Sequence, residues 1–101
     1  MQKFGGSGRV KFKLLELAAD SVISAINTNP PKHASADVLA LIKTQMLFIR
    51  DNAAAGKKPA TELPPNTKFT YAVLASRELT SPDELILQAQ IDKVTEILIS
   101  A

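Results

Sequence analysis

The chain contains no cysteine and no tryptophan, and it has one histidine and one tyrosine. Without cysteine there is no disulfide framework and no thiolate metal site, which fits a reducing compartment and gives a cytoplasmic expectation. Aromatic residues make up only 5%, so leucine, isoleucine, valine and alanine must fill any core. No apolar run is long enough to span a bilayer, and no membrane association is expected. The N-terminal stretch is basic but has no continuous apolar segment, so no secretory leader is expected. Neither sign of charge dominates. Twelve basic and ten acidic residues leave +2, and the one local excess is Lys3, Arg9, Lys11 and Lys13. Nucleic-acid binders carry a denser basic stripe, because phosphate neutralisation supplies most of their affinity. This balance therefore argues against a nucleic-acid partner.

Reactive constellations are equally scarce. His33 stands alone, with neither the ligands for a zinc site nor the partners for a nucleophilic triad. Gly5-Gly6-Ser7-Gly8 lacks the Gly-Lys-Ser/Thr ending of a phosphate loop, and Arg9-Val10 follows instead. The adjacent acids Asp83 and Glu84 sit in a helix first turn, where the ionised forms are favoured and proton transfer is not. The sequence therefore offers no catalytic residue, no metal ligand set and no cofactor motif, and a non-enzyme is expected.

What is present is helical patterning. At 101 residues there is room for one domain, and 46% hydrophobic residues is too high for disorder. Residues 1–9 read as a flexible lead and 10–101 as a single domain. The first helix is predicted from about Val10 to Thr28, with Leu14, Leu15, Ala18, Val22, Ile23, Ala25 and Ile26 as its apolar stripe. Asn29-Pro30-Pro31 ends it. A second helix is predicted from Ala36 to Ala55, capped by Ser35 and followed by Gly56, with Val38, Leu39, Ile42, Met46 and Ile49 inward and Leu41 and Phe48 on its flank. Lys57 to Pro65 reads as a linker. A third helix is expected from Asn66 or Thr67 to Leu79, turning Phe69, Ala72, Val73, Ser76 and Leu79 inward. A fourth runs from Pro82 to Ser100, with Leu87, Ile91, Val94 and Leu98 inward. Together these predict an all-α fold, a compact antiparallel bundle of about four helices.

The corner Ala75-Ser76-Arg77-Glu78-Leu79-Thr80-Ser81-Pro82-Asp83-Glu84-Leu85 is the most informative stretch. Ser81 suits an N-cap, Pro82 the first helical position, and Glu84 the acid that reaches back in a capping box. Tyr71 falls between the expected inward positions, where it could sit at the bundle edge as an amphipathic binding side chain; a half-buried structural tyrosine is the plainer reading. Asp92 and Glu96 share one helical face, either as a hydrated surface or as an acidic patch for a basic partner.

From roughly Leu14 to Ile99 the chain resembles a family of small helical immunity proteins. These protect bacteria against type VI secretion effectors that carry NAD(P)-glycohydrolase or related toxin domains. One segment carrying the resemblance is Val38-Leu39-Ala40-Leu41-Ile42-Lys43-Thr44-Gln45-Met46-Leu47-Phe48-Ile49, similar to a family pattern in which a glutamine is followed by an aromatic and then an aliphatic. The other is Ala75-Ser76-Arg77-Glu78-Leu79 with Ser81-Pro82-Asp83-Glu84-Leu85, similar to an Ala-x-Arg-Glu-aliphatic helix end and the Asp-Pro-Glu-Leu start that follows. This chain departs from the family by Ser81 before the proline and by a proline-rich linker. The resemblance implies a cytoplasmic protein of bacterial competition that binds a cognate effector toxin and occludes its active site. It leaves a homodimer open. Partner-contact candidates are Gln45, Phe48, Tyr71, Arg77, Glu78 and Glu84, and the plainer readings are an ion pair for Arg77 and Glu78 and a helix-to-helix hydrogen bond for Gln45. A helical adaptor or chaperone for a secreted protein is the alternative, with a small DNA-binding regulator behind it.

Overall fold

Helix α1 spans Gln2–Thr28, α2 Ala36–Ala54, α3 Tyr71–Glu78 and α4 Leu85–Ser100 in a computed structural model of the chain. It describes the backbone of residues 2–100 and the side chains of residues 10–82 and 84–100. Single 3-10 turns occupy Pro59–Glu62 and Pro82–Glu84, and no strand occurs among the described residues. The backbone is helical from Gln2, eight residues ahead of the expected start at Val10, so the segment read as a lead continues α1. Once a helix is nucleated each further residue adds a hydrogen bond, and the sequence pattern gave no sign of where that propagation stops.

The caps explain most of the boundaries. Ser35 has extended backbone and its hydroxyl accepts from Val38 N–H at 3.1 Å, with Asp37 in the first turn of α2. At the other end Gly56 takes φ +76°, where a side chain would be strained. That conformation lets Lys57 N–H reach the Asn52 carbonyl at 2.9 Å and Gly56 N–H reach Ala53 at 3.0 Å, the paired bonds of a Schellman ending.

The helices form an up-down-up-down bundle in which α1 packs on α2 and α4, and α3 bridges α2 and α4. Cross-links show the antiparallel sense. Lys43 Nζ near the start of α2 donates to Asn27 Oδ1 near the end of α1 at 2.7 Å, and Arg50 pairs with Asp20 at 3.2 Å. Lys11 Nζ donates to the Ser100 carbonyl at 2.9 Å, placing a cation on the electron-rich end of α4.

The core is aliphatic with a single ring at its centre. Leu15, Ala19, Val22, Ile23 and Ile26 meet Leu39, Ile42, Met46, Ile49 and Ala53 across the α1–α2 contact, and Leu87, Ile91 and Val94 close it from α4. The stripes of α2 and α4 follow the sequence pattern. Two expectations are corrected. Leu14 is 49% exposed on the far side of α1 rather than in the core, because it lies about 100° from Leu15 and the stripe is centred on Leu15, Ala19 and Val22. Helix α3 starts at Tyr71, four or five residues later than expected, so its inward residues are Tyr71, Ala75 and Leu79. Ala72, Val73 and Ser76 face outward.

A candidate interaction surface on helices α2 and α3

The six residues singled out by sequence divide into those engaged inside the fold and those left on its surface. Gln45 belongs to the first group. Its Oε1 accepts from the backbone N–H groups of Thr70 and Tyr71 at 2.8 and 2.9 Å, and its Nε2 donates to Thr70 Oγ1 at 2.8 Å. Thr70 precedes α3 and makes no side-chain cap of its own. A side chain from α2 therefore satisfies the open donors at the start of α3, which is why that helix begins where it does.

Tyr71 is a correction: the ring lies in the core at 2% exposure, not at the bundle edge. Its hydroxyl sits 2.8 Å from Thr95 Oγ1, and Thr95 in turn donates to the Ile91 carbonyl at 3.3 Å. Burial pushes the Tyr71 phenol up from its ordinary value, and Asp92 adds to the rise while the Thr95 hydroxyl opposes it. Phe69 packs edge-on against Tyr71 and Phe48, with ring centroids 6.0 Å apart in both pairs.

Glu84 is also buried, at 3% exposure, which removes it from any partner contact. Its Oε1 accepts from Ser81 N–H at 3.2 Å, so the reach-back arm of the expected capping box is formed. The Glu84 N–H bonds the Ser81 carbonyl at 2.9 Å, and Oε2 and the Ser81 hydroxyl lie buried without well-formed hydrogen bonds. The Ser81 hydroxyl and N–H and the neighbouring His33 hold the Glu84 carboxyl below its ordinary value, against the opposing effect of burial. A carboxyl held low in the fold contributes stability that is present above about pH 4.5 and lost as pH falls further. Urea midpoints measured at pH 7 and pH 3 check this. Glu84→Gln is expected to lower the midpoint at pH 7 and to shrink the difference between the two pH values.

Glu78 is half-buried, and its Oε1 lies 3.5 Å from Ser35 N–H, the outer limit of a hydrogen bond. Glu78 and Glu84 of the α3–α4 corner therefore lie beside the loop between α1 and α2. A cleft of about 310 Å³ lies beneath that loop, lined by Pro30, His33, Ile86 and Gln90 among others. Arg77 is exposed, and neither it nor Glu78 makes an ion pair among the described residues, so the plainer ion-pair reading of these two residues is not met.

What remains outside lies along α2 and α3. Leu41, Gln45 and Phe48 recur at i, i+4 and i+7 on α2, and the Gln45 bonds to Thr70 place that stripe along α3. Phe69, Val73 and Arg77 line the opposing side. Leu41 is 53% and Val73 52% exposed, on either side of the half-buried Phe48–Phe69 pair. Sequence reasoning found Gln45, Phe48 and Arg77 here but assigned Leu41 to a flank of the buried stripe and Val73 to the core. The spacing of Leu41, Gln45 and Phe48 carried the missing signal.

Among the described residues no group of three or more His, Asp or Glu is placed to hold a metal ion, and no helix is long and apolar enough to cross a membrane. Comparison with known protein families, with curated proteins and with solved structures finds no match to this chain.

Proposed function

We propose that this chain is an immunity protein that binds a cognate secreted toxin enzyme in the bacterial cytoplasm and blocks its active site by occlusion. The toxin class is an NAD(P)-glycohydrolase-type effector of type VI secretion, following the resemblance of residues 38–49 and 75–85. The observation that carries the reading is the α2–α3 patch. Two aliphatic side chains stand more than half exposed beside an aromatic pair, on two helices pinned to each other by Gln45. Inhibition by occlusion needs a rigid surface of this kind and no reactive group. A rigid surface loses little conformational entropy on docking, so more of the contact energy appears as affinity.

The remaining chemistry of the site agrees with that role. Gln45, Tyr71 and Glu84 hold the scaffold, while Phe48 and Arg77 are of the residue types that anchor interfaces. A standard interface buries about 1,600 Å² in total, or about 800 Å² from this partner. The α2–α3 patch would form its centre.

Co-purification with the toxin encoded beside it is expected to yield a stable complex in which NAD(P) hydrolysis is suppressed. Leu41→Glu combined with Val73→Glu should weaken that complex by at least about 30-fold, the cost of losing a central anchor, and restore hydrolysis. Failure of the wild-type pair to associate at micromolar concentration would overturn the reading. An unaltered complex with the double variant would instead remove the α2–α3 patch from it.

A further inference from the structure

The outermost line of α1, the part of a surface helix that is ordinarily most charged, carries no charge at all between residues 10 and 28. Val10, Leu14, Leu17, Ser21, Ser24 and Thr28 follow one another at alternating spacings of four and three, the heptad seam of a helix pair. Val10, Leu14 and Leu17 are 57%, 49% and 51% exposed, and all three serine and threonine positions are exposed. The Ser21 and Thr28 hydroxyls donate back to the carbonyls of Leu17 and Ser24 at 3.0 and 2.8 Å, so their donors need no water. The buried stripe of the same helix, Leu15, Ala19, Val22 and Ile26, lies on the opposite side. The described residues of the chain therefore leave this seam uncovered.

We infer that the seam is covered by the same seam of a second copy, in an antiparallel two-fold pair. An antiparallel arrangement with its axis between Leu14 and Leu17 sets Leu14 against Leu17 of the second copy, and Leu17 against Leu14. Val10 then meets Ser21 at either end. The same register brings the flanking Lys13 of each copy beside Asp20 of the other, so opposite charges meet on that side of the seam. On the other flank Lys11 faces Ala18, and no like charges oppose. Lys13 and Asp20 keep 65% and 58% of their side-chain surface exposed despite their contacts with Glu16 and Arg50, and both can turn toward a partner. A parallel pair would set Lys13 and Asp20 against Ala18 and Ala25 of the other copy and leave their charge match unused, which is the reason for choosing the antiparallel sense.

The paired stretch, residues 10–21 of each copy, is one helix wide and about 17 Å long at 1.5 Å per residue. That places it at the small end of specific interfaces, below about 1,200 Å², so association is expected only at about 0.1 mM and above. The α2–α3 patch lies on other helices, and this pairing neither uses nor depends on it.

Sedimentation of the full chain between about 10 µM and 0.5 mM should show a monomer passing to a dimer. Leu14→Glu combined with Leu17→Glu should abolish the dimer while leaving the far-UV circular dichroism and the melting temperature intact, because both residues are already half in water. Lys13→Asp should weaken the dimer, and adding Asp20→Lys should restore it. The chain has no cysteine, so single cysteines report the register directly. A mixture of Leu14→Cys and Leu17→Cys chains should form the mixed disulfide, whereas Ser24→Cys chains should not link to one another. A monomer at 0.5 mM overturns the inference, as does a dimer that survives the double glutamate variant. Efficient linking through Ser24→Cys overturns the antiparallel register.

Discussion

Tyr71→Ala is expected to cost about 3–5 kcal/mol, the range for removing a large buried ring from a core. Total stability for a domain of this size is about 5–15 kcal/mol, so this one change should leave the fold marginal at 37 °C. The reason is position. Among the described residues Tyr71 is the largest fully buried side chain, and it joins α3 to α4 through Thr95 while packing against Phe69. Tyr71→Phe separates the two contributions. It keeps the ring and loses one hydrogen bond, about 1 kcal/mol, while Thr95 retains its bond to the Ile91 carbonyl. Chemical denaturation monitored by circular dichroism measures both variants. The same residue also predicts an alkaline limit. The phenol is held above its ordinary value of 10.0 in the fold, so the folded state binds more protons than the unfolded chain above that pH. Its contribution is complete below about pH 10 and declines as pH rises past it, a decline that Tyr71→Phe should remove.

Gln45→Ala is the second large effect, expected at about 1–3 kcal/mol. The substitution leaves the N–H groups of Thr70 and Tyr71 and the Thr70 hydroxyl without their partner in one step. Helix α3 is only eight residues long, too short to hold together by its own hydrogen bonds. Loss of the cap should therefore appear first as fraying of α3, with Thr70, Tyr71 and the next turn losing protection from hydrogen exchange ahead of the α1–α2 pair. Gln45→Glu keeps the oxygen that accepts both N–H bonds, replaces the Nε2 donor with an oxygen to which the Thr70 hydroxyl can donate instead, and adds negative charge at a helix N-terminus, where it is favoured. It should retain most of the stability that Gln45→Ala loses. If Gln45→Met, similar in shape but unable to cap, were as stable as wild type, the cap would not be the source of the effect.

These two residues also show where sequence reasoning stopped. Tyr71 and Gln45 were both identifiable, but their roles depended on where α3 starts. The stretch from Asn66 to Thr70 has no proline or glycine to mark a boundary, so periodicity alone extended the helix back to Asn66. The actual boundary is imposed by a side chain 25 positions earlier. A shift of four residues nearly preserves the phase of a helix, but of the expected inward set Ala72, Val73 and Ser76 were also turned by about 100–200° from Tyr71 and Ala75, while Leu79 is buried and Phe69 packs against the core. Helix α2 and helix α4 were legible because each has local punctuation: Ser35 and Gly56 for one, Ser81, Pro82 and Glu84 for the other. The role of Glu84 followed from that same local rule, since a capping box closes within four residues.

The split has a physical basis. The chain alone determined an all-α bundle with aliphatic filling, the helix ends other than the starts of α1 and α3, and the capping geometry of the α3–α4 corner, because these rest on short-range hydrogen bonding and on the period of apolar side chains. Tertiary packing decided the register of α3, the burial of Tyr71 and Glu84, and the exposure of Leu14, Leu41 and Val73. Each of those depends on which neighbouring helix lies against a given face, and a helical period marks an apolar side without saying what will cover it.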